Sequence, residues 1–352
     1  MPGQAHVRGR ERGGWHAEHG CATLPPAMSD GAAPAVTRTA RPVFEALASR
    51  RFVVVSGKGG VGRTTVAAMI GRELATRGAK VLVATTGHDD RLAWMMGAST
   101  LTDRPVRAPS GVFVQRLFAP TCIREYGALV MRSARVSSLV FDNRVVAKLM
   151  RAIPGLDDFS LVGKAWHEAF RGGEYDVVVF DGPATGHLLY TLGVPRAILS
   201  TIAPGPLTRE AELMQKHLTD PAQSCAVLVG LPERWPLTEL DELAGALGRD
   251  VGIAVAGVFV NGMWPAQAPA VTTVGDPAVA ALIERARRVT DVGERQRDEI
   301  EQWRASTQTS WRAVIGLPWR FDGIAGPDAL AGLAAAATSI DQAGAVSPEV
   351  SP

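Results

Sequence analysis

VVVSGKGGVGRTTVAA, residues 53–68, decides the fold. A run of valines breaks into a turn holding Gly57, Gly59, Gly60 and Gly62, and a helix-forming run follows. Strand, glycine turn and helix in that order make a phosphate-binding loop. Gly57, Gly62, Arg63 and Thr64 fit the pattern G-x-x-x-x-G-[K/R]-[S/T]. Glycines let the backbone wrap a phosphate with several N–H groups pointing inward. The helix that opens near Thr64 adds its positive N-terminal end. The Thr64 hydroxyl can reach Mg²⁺. The expected nucleotide-binding residues are therefore Gly57, Lys58, Gly59, Gly60, Val61, Gly62, Arg63, Thr64 and Thr65. The competing reading is a structural glycine turn.

Short apolar runs recur on both sides of this loop. Strands are expected over residues 52–56, 80–84, 112–117, 176–180, 226–229, 253–260 and 313–315. Continuous Val/Ile/Leu runs suit strands buried on both faces of a parallel sheet. Helical stretches separate them, so the expected fold is α/β: a doubly wound, mostly parallel sheet. Residues 119–171 break the alternation and read as a helical insertion. There Leu129, Val136, Leu139, Val140, Val146, Leu149 and Met150 fall near helical spacing, among Arg124, Arg132, Arg135, Arg144, Lys148 and Arg151. Pro154-Gly155 interrupts the pattern, and a second helix is expected to about Phe170. This apolar stripe either packs on the sheet or lines a groove for a partner's apolar segment. Residues 1–45, rich in Gly, Pro, Ala and Arg, read as a disordered tail. Met28 within them is an alternative start, and residues 341–352 read as a second loose end. The phosphate-loop domain is then expected over residues 46–340.

The hydrophobic fraction is 46% and the charged fraction 20%, the balance of a globular chain with a sizeable core. A net charge of +2 with no basic stripe argues against nucleic acid as partner. Cys21, Cys122 and Cys225 form no CxxC pair, so neither a disulfide framework nor a zinc site is expected, and a reducing cytoplasm fits. No apolar run is long enough to span a membrane, and the N-terminus has no signal-peptide core.

Lys58 narrows the class. KGGVGRTT resembles the deviant phosphate loop, KGGxGKT, of the dimeric ATPases related to the arsenite-pump ATPase, the tail-anchored-protein targeting factor and the MinD/ParA proteins. The resemblance implies that Lys58 reaches across a dimer to the partner's nucleotide; otherwise it is a solvated loop lysine. A second landmark, YDVVVFDGPATGHLLYTL (residues 175–192), ends a buried strand in Asp181, which can hold the water shell of Mg²⁺. DGPATGH resembles the DTAPTGH switch II of the arsenite/tail-anchored-protein branch, with Gly182, Pro183, Thr185, Gly186 and His187 expected to form a loop. PGLDDFS (residues 154–160) resembles that branch's PGIDE segment, with Asp158 for the glutamate. LPERWPLTELDELAGAL and GVFVNGM also follow it. There Asn261 matches the asparagine that contacts adenine, although Asn261-Gly262 is also a good turn dipeptide. ERQRDEIEQW and VIGLPWRFDGIAGPDAL resemble its C-terminal helix and strand. The resemblance covers roughly residues 50–338 and implies ATP and Mg²⁺ as cofactors, with Lys58 and Asp181 as catalytic residues and Thr64 and Asp181 at the metal.

Three departures bear on activity. Arg63 replaces the usual lysine; its planar fork pairs with phosphate oxygens but does not reproduce an ammonium point charge. In switch I, ATTGHDDRL (residues 84–92), Gly87 stands where the family carries its water-orienting aspartate. Asp89 and Asp90 come two or three residues later, which moves a carboxylate several ångströms along an extended chain. The zinc-binding CxxC of the eukaryotic targeting factors is absent, and the three scattered cysteines make no arsenite site. The expected protein is an ATP-binding switch, a homodimer or a heterodimer with a paralogous and catalytically intact ATPase, with weak hydrolysis of its own. Its client by resemblance is a hydrophobic membrane-protein segment. The alternatives are a fully active ATPase using Asp89 or Asp90, or a MinD/ParA-like positioning protein. The terminus GAVSPEVSP offers the latter neither an amphipathic helix nor a basic face.

Overall fold

A computed structural model of the chain describes residues 40–130, 156–266, 277–307, 309, 311 and 313–340. All of them belong to one compact unit. The centre is built from strands whose every residue is buried: β1 (Phe52–Gly57), β2 (Val81–Thr85), β5 (Val177–Asp181) and β6 (Ser224–Gly230). Four more strands continue the sheet: β3 (Val106–Arg107), β4 (Phe113–Arg116), β7 (Val255–Met263) and β8 (Val314–Pro318), with β9 (Thr338–Ser339) at the far edge. The order is β3-β4-β2-β5-β1-β6-β7-β8-β9. Pairing is parallel throughout except at the two edges, where β3 and β9 run antiparallel to their neighbours. The doubly wound α/β expectation holds, and all seven expected strands are present. The two edge strands carry no sequence signal, since two residues cannot show a period.

Alternate residues of each strand feed opposite layers. Val53 and Val55 face one core, shared with α1 (Arg41–Ala48), α2 (Arg63–Thr76), α3 (Arg91–Met96) and α10 (Pro327–Ala335). Phe52 and Val54 face the other. That second layer holds α4 (Ala119–Val130), α5 (Leu156–Phe170), α6 (Thr185–Thr201), α7 (Pro206–Thr219), α8 (Arg234–Ala246) and α9 (Pro277–Ser306). Phe52 stacks on Phe180 at 6.1 Å, and Trp166 of α5 is wholly buried there with its indole N–H donating to His217 Nδ1 at 3.1 Å. Arg51 fixes the end of α5 to the start of β1, donating twice to the Ala169 carbonyl (2.8 and 2.6 Å).

The organised chain begins earlier than composition suggests. Residues 41–45, expected to be tail, belong to α1, because Val43, Phe44 and Leu47 recur at helical spacing and are buried. Residues 1–39 and 341–352, the apolar stripe between positions 136 and 150, and Pro154-Gly155 lie outside the described residues. No helix among the described residues is long and apolar enough to cross a membrane.

Topology sets the site. The chain leaves β1, runs through α2 and returns as β2, leaving a slot that β5 fills. Ligands of open α/β sheets sit at the carboxyl ends of strands where the winding reverses. Register puts Asp181 beside both Thr85 and Val55, and Gly57 beside Val229. One turn of backbone past those ends, two loops and a carboxylate must meet. Phe180→Ala is expected to cost about 3–5 kcal/mol, since the ring is fully buried and stacked. Urea unfolding should show the midpoint fall with the slope unchanged; a loss below about 1 kcal/mol would contradict this packing.

Candidate nucleotide site

The loop between β1 and α2 is shaped by glycine. Gly60 and Gly62 have φ of 84° and 95°, a left-handed backbone that side chains resist. A Cβ on Gly57 would strike the Val229 carbonyl, so that strand end packs backbone to backbone. Gly62 caps α2 without any side-chain hydrogen bond, leaving the first N–H groups of the helix directed out of its end. Lys58, Gly59 and Gly60 are exposed, Val61 is buried, and Thr65 is partly covered on the first turn of α2.

The chemistry converges below this loop. Thr64 Oγ1 donates to Asp181 Oδ2 at 2.8 Å, and Thr85 Oγ1 donates to the same oxygen at 2.7 Å. Asp181 is 4% exposed. Burial pushes its carboxyl above the usual carboxylate range, against the opposing pull of the two hydroxyls and of the Arg63 charge. Two hydroxyls and a carboxylate are hard oxygen donors, the set Mg²⁺ takes alongside water and phosphate. The residues present therefore fit the metal, and Thr64 and Asp181 would hold it. Thr85 is the member the sequence reading missed. It extends the expected second strand by one residue, and nothing in the local pattern marks that residue as polar for a purpose.

Arg63 points at switch II. Its Nη1 donates to the Gly182 carbonyl at 2.5 Å. Gly182 N donates back to Val55 O at 3.1 Å, and Ser56 Oγ to Pro183 O at 3.2 Å, so the start of switch II lies on β1. The loop expected from Gly182 to His187 is shorter than that. Thr185, Gly186 and His187 already form the first turn of α6, entered from Ala184 in an extended conformation. His187 Nε2 lies 2.8 Å from Asp158 Oδ1, and Thr191 Oγ1 donates to that oxygen at 3.1 Å. Switch II is thus tied to α5. A cleft of about 420 Å³ opens between them, walled by Thr86 and His88 of switch I, Phe118, and Pro183 and His187 of switch II.

The switch I carboxylates divide. Asp90 is bound by Arg116 Nη2 at 2.7 Å and by the Leu101 N–H at 3.2 Å, and is held below the usual carboxylate range by that backbone donor and the guanidinium. Among the described residues the Asp89 carboxylate accepts a long 3.3 Å bond from the Arg91 N–H and a 4.0 Å ion pair from Arg91 Nε, while its backbone carbonyl accepts from Arg116 Nη2 at 2.8 Å, and its charge is felt at Asp181. Gly87 donates its N–H to Thr85 Oγ1 at 3.0 Å and presents no side chain.

Asn261 lies at the loop rather than beyond it. Its Nδ2 donates to the Val61 carbonyl at 2.9 Å, and the amide crowds Gly62. Lys58 Nζ is 2.6 Å from Glu239 Oε1 on α8 of the same chain. The cysteines of the described residues sit on opposite faces of the sheet, Cys225 in one core and Cys122 in the other. Burial pushes their thiols up to about 12 and about 11, which keeps them protonated and poor ligands for a soft ion.

Residues 50–203, which carry the glycine loop, both switches and Asp181, match the family described as anion-transporting ATPase. Among curated relatives, an uncharacterised protein of Streptomyces coelicolor is 26% identical over 317 residues, covering 81% of this chain and 75% of its own length. A putative arsenical pump-driving ATPase of Halobacterium salinarum is 27% identical over 234 residues, 61% of this chain and 36% of its own length. ATPase BagA of Mycobacterium tuberculosis is 29% identical over 240 residues, 62% of this chain and 67% of its own length.

Asp181 generates a pH prediction. Its folded pKa is raised above the unfolded value of about 3.9, so through that interval the folded state keeps a proton the unfolded state has released. Stability should fall as pH rises through the interval and stay lower above it. Asp181→Asn keeps an acceptor oxygen and removes the charge. Metal-free urea melts from pH 4 to 8 should show the variant flatter with pH and more stable than the natural chain near neutrality. A less stable variant near neutrality would contradict the assignment.

Proposed function

We propose, from the match of residues 50–203 to the anion-transporting ATPase family, that the chain is an ATP-binding, Mg²⁺-dependent switch protein of that family, dimeric, with weak hydrolysis of its own. One observation carries this reading: two hydroxyls share one buried oxygen of Asp181 beneath a glycine cage, while the switch I position facing them is Gly87. The binding half of the site is complete and the water-orienting carboxylate is missing. Bound Mg²⁺ would neutralise the phosphate charge and polarise the γ-phosphoryl oxygens. The chain's own groups do the rest. Loop N–H groups hold the phosphates, Thr64 and Asp181 hold the metal's ligand sphere, and Arg63 links the loop to switch II.

Asp90 is committed to Arg116 and Leu101, so it is unsuited to orient water. Asp89 favours the second reading, an active ATPase, because it is 70% exposed and electrostatically close to Asp181. Its distance along the chain from the aligned position makes it the lesser candidate. Weak hydrolysis suits a subunit that completes the site of a catalytically intact paralogue through Lys58, in the cytoplasm. The proposed client is a hydrophobic membrane-protein segment. Phe118, 54% exposed beside the cleft, lies where the His187–Asp158 contact links switch II to α5.

Steady-state phosphate release tests the reading. The natural chain should turn over below about 1 s⁻¹, under the usual range for enzymes. Gly87 has an ordinary φ, and a Cβ there would meet only Thr85 Oγ1 at 3.2 Å, so a side chain fits with a small adjustment. Gly87→Asp combined with Arg63→Lys should raise turnover at least about tenfold, within what one positioned group contributes at such sites. Natural-chain turnover above about 1 s⁻¹ that Asp181→Ala abolishes would overturn weak hydrolysis.

A further inference from the structure

Lys58 does not project freely from the glycine loop. Its ammonium rests 2.6 Å from Glu239 Oε1, 181 residues away in sequence. The two partners differ in how firmly they are held. Glu239 lies on α8, whose inner face buries Leu237, Leu240 and Leu243. Asp241 clamps the same helix from behind, accepting from Trp303 Nε1 at 2.8 Å, Thr307 Oγ1 at 2.6 Å and Trp311 Nε1 at 3.2 Å. Lys58, in contrast, precedes Gly59 and Gly60, where an added Cβ would meet nothing within 4 Å. The helix is the fixed side and the loop the one with room to move.

The carboxylate is also incompletely satisfied. Glu239 Oε2 is shielded from solvent and has no hydrogen-bond partner among the described residues. A shielded oxygen without a donor destabilises the charged carboxylate. The Lys58 side chain is 56% exposed, and ion pairs of that kind hold weakly. A contact that sets a position and yields to a stronger anion has these properties. Trp235 lies one helical turn before Glu239, on the same side of α8, and is 77% exposed.

We propose that Glu239 is a positioning residue that parks Lys58 on its own chain, and that docking of a second, triphosphate-loaded copy of this chain moves the ammonium from Glu239 to phosphate. The inference rests on the functional reading above, in which Lys58 serves a nucleotide across a dimer. Parking keeps the loop cation away from its own phosphates until a partner surface arrives. Its cost to assembly is the ion pair that must break.

The test is sedimentation velocity of the full chain with Mg²⁺ and a non-hydrolysable ATP analogue. The samples are the natural chain, Glu239→Gln, Lys58→Ala and the double variant. Glu239→Gln should tighten self-association about two- to fivefold at low salt, the most an exposed pair supplies. That gain should vanish in the Lys58→Ala background and shrink at high salt. Glu239→Asp, which withdraws the carboxylate by one methylene, should reproduce part of it if Glu239→Gln folds poorly. A gain of equal size without Lys58, no gain, or no assembly of the natural chain overturns the proposal. Equilibrium dialysis of the analogue on the same samples separates the failures. No uptake sinks the nucleotide reading as well, whereas uptake without the Lys58-dependent gain sinks only the role of Glu239.

Discussion

A single carboxylate oxygen, Asp181 Oδ2, accepts from two threonines that arrive on different elements. Everything in the site is arranged around that sharing. Thr64 comes from the helix after the glycine loop, Thr85 from the end of β2, and Asp181 from the strand lodged next to both β1 and β2. A buried carboxylate is costly, by several kcal/mol in real proteins. Hydrogen bonds to a charged group return about 1.5–3 kcal/mol each, so two hydroxyls offset much of the burial but leave the carboxyl above its usual range. A cation at this position would restore the balance.

The same carboxylate organises the loops. Its backbone carbonyl accepts from Thr86 N, and the next residue, Gly182, takes Arg63 on its carbonyl. Switch I, switch II and the phosphate loop are therefore one hydrogen-bonded unit. The unit is coupled outward by His187 to Asp158 on α5 and by Lys58 to Glu239 on α8. Arg63 gains a meaning here that the bare motif lacks. A planar fork can reach a backbone carbonyl on switch II, and in doing so gives the loop a second attachment. A rearrangement at any of these three segments has a physical route to the helices on the sheet's second face.

Legibility followed pattern length. The central strands were readable because burial on both faces writes continuous Val runs, as in Phe52–Gly57 and Val177–Asp181. The glycine loop was readable because positive φ at Gly60 and Gly62 restricts residue type. The two-residue edge strands left no mark, and α1 hid inside a composition dominated by Ala, Arg and Pro. In the site, Thr64 and Asp181 could be named from the sequence, but Thr85 could not. Its role is a matter of register between β2 and β5, set by packing across the sheet rather than by neighbours in the chain. Glu239 was equally silent: the stretch from 233 to 242 also carries Glu233, Asp241 and Glu242, and only the fold says which carboxylate meets Lys58. Asn261 was read as an adenine contact, and the structure adds a hold on the Val61 carbonyl that no spacing could announce.

The most direct test is calorimetric titration of the folded full chain with ATP, run once with excess Mg²⁺ and once with the metal chelated. If the loop amides and the Asp181-centred oxygens form one triphosphate site, binding should be saturable with Mg²⁺ and at least about tenfold weaker without it, a difference of roughly 1.4 kcal/mol. Equal affinity in both titrations, or no heat of binding in either, would contradict the account.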